Sequence, residues 1–269
     1  MKRIFNRKKN SPFGTVLSAE GLTDCGLVRN NNEDSFIIIR NSGCSDNISP
    51  SLLCAVADGM GGKDYGELAS SKAVEILQHE FNQIKAGSPS DWKAWLQKSF
   101  LKAHLVVAKK SGELKIKGAI GTTLVALVIA GEKAVVANVG DSRAYLFRGG
   151  DLQQITKDHS LVSLLVEKEL IEPDEIYTHP RRSEIMRFLG QSVDLEVDVF
   201  EIDLVKGDIL MLCSDGLWEM ARDPLIKDIM ANSPNLTDAC TKLIRSANQA
   251  GGKDNITVVC VKVDTELVS

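Results

Sequence analysis

The chain has 269 residues, 43% of them hydrophobic and 25% charged, so it can bury a substantial core in one large or two small domains. Its net charge of −4 argues against nucleic-acid binding as the main function, and no apolar run reaches the roughly 18 residues of a membrane span. The six cysteines include no C-x-x-C pair and lie mainly in apolar runs, which indicates a reducing, cytoplasmic compartment.

The chain begins with a strongly basic segment, in which five of the first ten residues are lysine or arginine. No long apolar stretch follows, so this start is not a signal peptide. We predict a basic, disordered tail over residues 1–14, with contact to an acidic partner, nucleic acid or an anionic membrane as the alternative. A single folded domain is expected over residues 15–264, followed by a short tail at residues 265–269.

Short apolar runs early in the chain predict β-strands over residues 15–23, 36–39 and 52–57. The third run has the length of a strand covered on both faces and leads into the segment DGMGG at residues 58–62. Apolar residues next recur at helical spacing over residues 66–85, which predicts an amphipathic helix. A second helix is predicted over residues 92–107, with its N-cap at Ser90 or Asp91.

The middle of the chain has the pattern of an antiparallel meander. Glycine-containing turns separate apolar runs at residues 122–129, 133–139, 144–147 and 151–155. Over residues 157–195 this pattern is lost. A short helix around residues 160–169 gives way there to a segment rich in proline and arginine. We interpret the whole stretch as an inserted, mobile segment.

Strand patterns resume over residues 197–204 and 208–213. Asp223 and Pro224 then predict the N-cap and first position of a short helix. Another helix is predicted over residues 236–247, where apolar residues share one face, and an apolar run closes the chain as a strand. Segregated blocks of strands and helices, with short hairpins between the strands, predict an α+β fold with antiparallel sheet.

Acidic residues stand at strand ends or beside glycines at Glu33, Asp34, Asp58, Asp141, Asp215 and Asp254. Taken singly, an Asp-Gly after an apolar run is more often a turn, and Asp254-Asn255 could be an Asx turn. Their joint occurrence predicts a cluster of carboxylates that repel one another unless a cation neutralises them. Oxygen ligands alone favour Mg²⁺ or Mn²⁺ over Zn²⁺, and two such ions can drive in-line attack of water on phosphorus.

Six segments in order resemble the successive signatures of the metal-dependent type 2C protein serine/threonine phosphatases. They are GLVRNNNED (26–34), DGMGG (58–62), GTT (121–123), GDSR (140–143), SDG (214–216) and GKDNIT (252–257). The resemblance covers residues 15–263 and implies a phosphatase catalytic domain with residues 157–195 as its flap. The implied fold is a central sandwich of two antiparallel β-sheets flanked by pairs of antiparallel helices, a four-layer αββα arrangement. The implied reaction is hydrolysis of phosphoserine and phosphothreonine by a water that bridges two Mg²⁺ or Mn²⁺ ions, opposing a protein kinase in signalling.

The resemblance also implies a set of metal ligands. Asp58 would bridge both ions, and the Gly59 carbonyl would bind one of them. Asp215 and Asp254 would hold the other ion. Asp141, together with Asp215, matches the position that holds a third, weaker ion in bacterial members.

Four further residues receive roles from the resemblance. Arg29 would clamp the phosphate, a task that suits a planar, bidentate guanidinium. Glu33 and Asp34 would act mostly through metal-bound waters, and Asn255 would orient Asp254.

One position departs from the animal and plant members of the family, which have histidine as the proposed general acid where this chain has Met60. Methionine cannot donate a proton, and its presence resembles the bacterial branch. The proton would then come from a metal-bound water or from a flap residue, with His159 and His179 as candidates; each is alternatively structural or solvent-exposed. Aryl phosphates, whose leaving groups need little protonation, should be hydrolysed easily.

Other phosphoester hydrolases lack support, because the chain contains no C-x5-R, no D-x-D-x-T and no G-x-x-x-x-G-K-[ST]. The alternative from another class is a catalytically silent pseudophosphatase that binds phosphoproteins. Such proteins usually lack a metal-binding aspartate, whereas all are present here. The expected partners are a phosphorylated protein substrate and a cognate Ser/Thr kinase, with no nucleic acid and no membrane span, for a monomeric protein.

Overall fold

The computed structural model describes residues 2–6, 17–41, 51–61, 65–84, 91–114 and 120–264. Residues 7–14 and 265–269 of the two predicted tails lie outside these ranges, as does Gly62 of the predicted DGMGG segment. Among the described residues, no helix combines the length and the apolar character that a membrane crossing requires.

Two antiparallel sheets form the centre of the molecule. The first sheet has the order β1 (Lys2–Asn6), β2 (Leu17–Asp24), β12 (Ile256–Val263), β11 (Ile209–Cys213), β8 (Arg143–Arg148) and β9 (Asp151–Gln154). The second has the order β10 (Asp198–Asp203), β7 (Lys133–Val139), β6 (Leu124–Ala130), β4 (Ser51–Met60) and β3 (Asp34–Asn41), and β5 (Gly121–Thr122) pairs with the end of β4. The predicted strand at residues 133–139 has the same bounds in the structure.

The inner faces of the two sheets pack on each other. Val56 and Leu127 of the second sheet share one buried cluster with Leu212 and Val259 of the first. Strand β4 is buried on both faces, as its continuous apolar sequence predicts, and so is β6, because helices cover the other side of each sheet. This burial supplies most of the free energy that holds the layers together, at about 25 cal/mol per Å² of apolar surface.

The helices occupy the two outer layers. Helices α1 (Tyr65–Asn82) and α2 (Trp92–Leu114) cover the second sheet. Helices α4 (Asp215–Trp218), α5 (Asp223–Asn232) and α6 (Leu236–Gln249) cover the first. The predicted αββα sandwich is therefore confirmed. Asp91 caps α2, because its Oδ1 accepts a hydrogen bond from the Ala94 N–H at 3.0 Å.

Two local predictions are wrong. Lys2–Asn6, assigned to a disordered tail, pairs with the edge of β2, since a strand can be added to an open sheet edge by main-chain hydrogen bonds alone. Asp223 is the first residue of α5 and not its N-cap; Arg222 holds that position with an extended backbone. The Asp223 carboxylate accepts a hydrogen bond from the Tyr145 hydroxyl instead of capping the helix backbone.

The stretch from residue 157 to 195, which the sequence assigns to a flap, contains α3 (Leu161–Glu167) and a 3-10 helix (Pro173–Tyr177). An isolated bridge between Ser160 and Ile185 closes this stretch on itself. A second bridge, between Leu189 and Thr122, attaches its far end to β5. Leu189 is fully buried, so this attachment includes apolar packing as well as hydrogen bonds.

Candidate active site

Two of the predicted acidic residues lie side by side on neighbouring strands. The register of β3 and β4 places Asp34 directly opposite Asp58. Side chains in this relation lie about 5 Å apart, and like charges there repel each other. Asp34 is buried and Asp58 is half-buried, so water screens the repulsion only in part.

Asp34 is held by two buried hydroxyl groups. Its Oδ2 accepts hydrogen bonds from Ser214 Oγ at 2.7 Å and from Thr257 Oγ1 at 2.6 Å. Its Oδ1 is buried and has no hydrogen-bond partner. Burial raises the pKa of Asp34 to about 6, although the two hydroxyls favour the charged form.

The backbone of Asp58 is fixed by two threonines of the GTT segment. The Asp58 N–H donates to Thr123 Oγ1 at 2.9 Å, and the Asp58 carbonyl accepts from the Thr123 N–H and from Thr122 Oγ1, both at 2.9 Å. Burial, followed by the charges of Asp34 and Asp215, raises the pKa of Asp58 well above its usual range. The β4 terminus therefore presents a carboxylate whose main chain has little freedom to move.

Asp141 and Asp215 approach the same end of the sandwich from other elements. Asp141 follows β7, and Asp215 begins α4 directly after β11. Each has a buried Oδ1 without a hydrogen-bond partner. Burial raises the pKa of Asp141 to about 7, and burial together with the charges of Asp141 and Asp254 raises the pKa of Asp215 well above its usual range.

A close backbone contact shapes the site beside Glu33. The Gly59 N–H donates to the Glu33 carbonyl at 3.2 Å. A Cβ atom on Gly59 would lie 2.1 Å from the Gly66 carbonyl oxygen, and a Cβ on Gly66 would lie 2.7 Å from Glu33 Cδ. Both positions therefore require glycine, because only an absent side chain allows α1 to begin against the end of β4.

Asn255 connects three parts of the site through its side chain and backbone. Its Oδ1 accepts from the Glu33 N–H at 2.8 Å, and its Nδ2 donates to the carbonyls of Cys25 and Asn31 at 3.0 and 2.9 Å. Its backbone N–H donates to Asp254 Oδ1 at 2.9 Å. Asn255 thus fixes the loop that carries Arg29 relative to Asp254.

Arg29 lies at the rim of the acidic cluster, with 53% of its side chain exposed. Its Nη2 donates to Asp254 Oδ2 at 2.6 Å, and this hydrogen bond is the main reason that the pKa of Arg29 is raised. The charges of Asp215 and Asp58 raise it further, so the guanidinium is within electrostatic reach of both. A half-exposed guanidinium beside such a cluster can exchange its carboxylate partner for a phosphate.

The donor set fits a hard divalent cation, although no three His, Cys, Asp or Glu side chains in the described part of the chain are arranged to hold an ion as they stand. Asp254, for example, is engaged by Arg29. The fit follows from the buried, unpaired oxygens of Asp34, Asp141 and Asp215 and from the mutual rise of the carboxylate pKa values. An ion would satisfy these oxygens and remove the repulsion, and oxygen donors select Mg²⁺ or Mn²⁺.

The two candidate proton donors of the flap have different surroundings. His159 Nδ1 accepts from the Gly140 N–H at 3.0 Å, and its Nε2 lies 3.1 Å from Asp198 Oδ2. Burial lowers the pKa of His159, so the ring is neutral near pH 7 and both nitrogens serve to attach the flap. His179 Nδ1 accepts from the Arg181 N–H at 3.1 Å within the flap itself.

The structure brings all six predicted acidic residues to one end of the sandwich. The strand register pairs Asp34 with Asp58, and Asn255 accepts a hydrogen bond from the Glu33 N–H and donates one to Asp254. Ser214, next to Asp215, donates to Asp34, and Trp218 of the same short helix as Asp215 donates to the Asp141 carbonyl.

The sequence did not identify the supporting hydroxyls of Ser214, Thr257, Thr122 and Thr123. A signal was present, because these polar residues interrupt apolar strand ends in the SDG, GKDNIT and GTT segments. Nothing in the sequence alone shows which carboxylate each hydroxyl contacts.

Comparison with known proteins gives one consistent family. The model of the protein phosphatase 2C family matches residues 19–179. The serine/threonine phosphatase stp of Listeria monocytogenes is 37% identical over 250 residues, which cover 92% of this chain and 96% of that protein. The crystal structure of the serine/threonine phosphatase Stp1 from Staphylococcus aureus superposes with a TM-score of 0.85 at 31% identity, covering 96% of this chain and all of that one.

A structure of the catalytic domain of the phosphatase PstP, solved with two manganese ions, superposes with a TM-score of 0.80 at 34% identity. The superposition covers 93% of this chain and 99% of the PstP chain. The family model matches more than half of the sequence, and the relatives extend the likeness over more than nine-tenths of the chain. The chain therefore belongs to the protein phosphatase 2C family.

Proposed function

We propose that this protein hydrolyses phosphoserine and phosphothreonine monoesters in proteins, with two Mg²⁺ or Mn²⁺ ions as cofactors. Asp58, the Gly59 carbonyl, Asp215 and Asp254 would hold the two ions, and Asp141 with Asp215 would hold a third, weaker one. The observation that carries this proposal is the meeting of buried and half-buried carboxylates with unpaired oxygens at one end of the sandwich. The serine/threonine phosphatases to which the chain is similar support the same substrate class.

The bound ions would supply Lewis-acid activation of water and neutralise charge on the phosphoryl group. The chain's own residues position the substrate and preserve the ligand set. Arg29 leaves Asp254 to bind the phosphate oxygens, while Asn255 holds the Arg29 loop and Asp254 in register. Ser214 and Thr257 orient Asp34 so that its Oδ1 stays available as an acceptor.

Protonation of the leaving group is not a task for Met60, which has no acidic proton. His159 is also unsuited to it in this structure, because its Nδ1 accepts from the Gly140 N–H and burial lowers the pKa of the ring, which disfavours its protonated form. We therefore expect turnover to depend strongly on the leaving group, with aryl phosphates hydrolysed faster than alkyl phosphates. A pseudophosphatase is disfavoured, because every carboxylate of the proposed ligand set is present.

The direct test compares p-nitrophenyl phosphate and a phosphothreonine peptide as substrates with Mn²⁺, with Mg²⁺ and with excess chelator. Asp58→Asn should abolish turnover, whereas the matched control Asp151→Asn should retain it. Asp151 is an exposed carboxylate that pairs with Lys227 of α5 at 2.8 Å, which is not a residue of the acidic cluster. Turnover that survives chelation, or an active Asp58→Asn variant, would contradict the proposed mechanism.

The remaining features of the proposal concern the protein's setting. We infer a single catalytic domain over residues 15–264, with residues 157–195 as its flap and β1 as an added strand at its sheet edge. It acts as a monomer in the cytoplasm against the products of a cognate Ser/Thr kinase. Size-exclusion chromatography with light scattering tests the monomer. Comparing the phosphoproteomes of deletion and parent strains tests the kinase relation, since phosphosites that accumulate would report the shared substrates.

A further inference from the structure

We propose that Arg143 is a positioning residue that couples the flap to the acidic cluster, and that this coupling sets the affinity for phosphopeptides. The effect on phosphopeptide affinity rests on the proposed function, whereas the link between Arg143 and the flap does not. Arg143 begins β8, two residues after Asp141, and only 3% of it is exposed. Its guanidinium contacts Asp158 at the beginning of the flap, Trp218 of α4 and Tyr145 of its own strand.

The first contact reaches the beginning of the flap. Arg143 Nε donates to both carboxylate oxygens of Asp158, at 3.0 and 3.1 Å, and Nη2 donates to Asp158 Oδ2 at 2.6 Å. Both side chains are buried, with 4% and 8% exposed. The neighbouring residue, His159, exchanges two hydrogen bonds with the backbone of Gly140. The flap therefore begins against the loop that carries Asp141.

The second contact reaches the helix that carries Asp215. Arg143 Cζ lies 3.6 Å from the centroid of the Trp218 ring, which is a stacked cation–π arrangement. Trp218 belongs to the same short helix as Asp215, and its Nε1 donates to the Asp141 carbonyl at 3.0 Å. A displaced guanidinium would thus release the packing of both acidic residues at once.

Trp218 also contacts the middle of the flap. Tyr177, at the end of the 3-10 helix, packs against it edge to face, with ring centroids 6.3 Å apart. Arg222 in turn lies over the Tyr177 ring, with Cζ 4.5 Å from the centroid. The beginning and the middle of the flap therefore meet one Arg143–Trp218 unit.

The chemistry of this unit requires arginine. The third contact, from Nη1 to the Tyr145 hydroxyl at 2.9 Å, continues to Asp223 of α5, so the guanidinium donates in two directions while its face stacks. Lysine has no planar face and no bidentate geometry. A buried ion pair contributes little net stability compared with apolar packing, so stability alone does not account for it. A positioning role does, because the pair fixes one orientation of the flap.

A matched control lies at the other end of the same strand. Arg148 is the last residue of β8 and donates to both oxygens of Asp208, at 2.8 and 2.7 Å. The Asp208 carboxylate is buried and also accepts a hydrogen bond from the Val205 N–H in the turn before β11. Arg148→Lys therefore breaks a bidentate Arg–Asp pair on β8 without contacting the flap, as far as the described residues show.

The experiment compares Arg143→Lys, Asp158→Asn and Arg148→Lys with the parent protein. Hydrogen–deuterium exchange, measured in chelator, reports the flap independently of catalysis. We expect peptides from residues 161–187 to exchange at least tenfold faster in Arg143→Lys and Asp158→Asn, and at the parent rate in Arg148→Lys. With Mn²⁺, the KM for a phosphothreonine peptide should rise about tenfold in the two flap variants, while the KM for p-nitrophenyl phosphate changes less than threefold.

Two results of the exchange measurement would overturn the proposal: an unchanged flap exchange in the folded flap variants, or an equal increase in Arg148→Lys. If circular dichroism shows that Arg143→Lys is unfolded, Asp158→Asn alone tests the proposal, because it removes the negative charge of the ion pair at constant side-chain size. Parallel rises in KM for both substrates would assign Arg143 to general stability and also reject the coupling. A parent protein that cleaves no phosphopeptide would refute the proposed function, yet the exchange measurement would still test the link between Arg143 and the flap.

Discussion

Replacing Asp34 with asparagine should stabilise the chelated protein at high pH and not at low pH. The pKa of Asp34 is raised from 3.8 to about 6, mainly by burial. The folded state therefore holds this proton more tightly than the unfolded state does. The stability that Asp34 contributes is fully present below about pH 4 and is lost as the pH rises through about 6. Asparagine keeps an oxygen for the Ser214 and Thr257 hydroxyls and does not titrate.

The size of the effect follows from the shift in pKa. A displacement of roughly two units corresponds to about 3 kcal/mol at 1.36 kcal/mol per unit. This is an upper bound, because the neighbouring carboxylates titrate together with Asp34 and share the repulsion. For a chain of this length, about 3 kcal/mol corresponds to roughly 6 °C in Tm. The Asp34→Asn protein should therefore gain several degrees over the parent between pH 4 and pH 8.

The assay is thermal unfolding of both proteins in chelator at pH 4.5, 6 and 8. The difference in Tm between variant and parent isolates Asp34, since other titrating groups affect both proteins. Asp151→Asn serves as a control, because Lys227 lowers the pKa of Asp151 and no gain with rising pH is expected. Saturating Mn²⁺ should raise the Tm of the parent at pH 8 and abolish the advantage of Asp34→Asn. A difference that stays constant from pH 4.5 to 8 would refute the reasoning.

Three further substitutions test other parts of the site, and the first has a control outside it. Gly66→Ala should lower the free energy of unfolding by about 1–3 kcal/mol and remove most activity, because its Cβ would meet Glu33 Cδ at 2.7 Å. The control Gly112→Ala in α2 meets nothing within 4 Å, so thermal unfolding should show a gain of about 0.5–1 kcal/mol. Arg29→Ala should raise KM about 10–100-fold with a smaller loss in kcat, as for one lost charge-assisted hydrogen bond, and an unchanged KM would contradict the phosphate role. Asn255→Ala should raise both KM and the Mn²⁺ concentration for half-maximal turnover, because it frees the Arg29 loop from Asp254; unaltered metal dependence would reject this link.

Much of the fold could be predicted because periodicity reports burial directly. Strand β7 has its predicted bounds, and β4 is covered on both faces as its apolar sequence indicates. The prediction failed where a contact between separate elements, and not the periodicity of one segment, decides. Edge pairing determines β1, and the hydrogen bond from Tyr145 diverts the Asp223 carboxylate from helix capping.

The acidic residues of the site were visible in the sequence, but their mutual arrangement was not. Asp34 and Asp58 are 24 positions apart, and only the register of β3 and β4 makes them direct neighbours. Arg143 is a charged residue at the start of a buried strand, and such a residue needs a partner of opposite charge, so the sequence does indicate that an ion pair forms here. Its partner, Asp158, lies in the irregular flap, where the sequence contains no periodic pattern from which a contact could be predicted.

The cluster of carboxylates is stable only because two different parts of the molecule share the task of holding it. The sandwich core fixes the strand ends that carry Asp34 and Asp58, and buried hydroxyls and backbone hydrogen bonds fix their orientation. Neither removes the repulsion between the charges, which only protons or cations can do. A divalent ion at 100 times its Kd would add about 2.7 kcal/mol to stability by mass action alone. The same repulsion that weakens the chelated protein at neutral pH therefore becomes part of the free energy of metal binding, so metal affinity and pH-dependent stability should change together in every variant of this cluster.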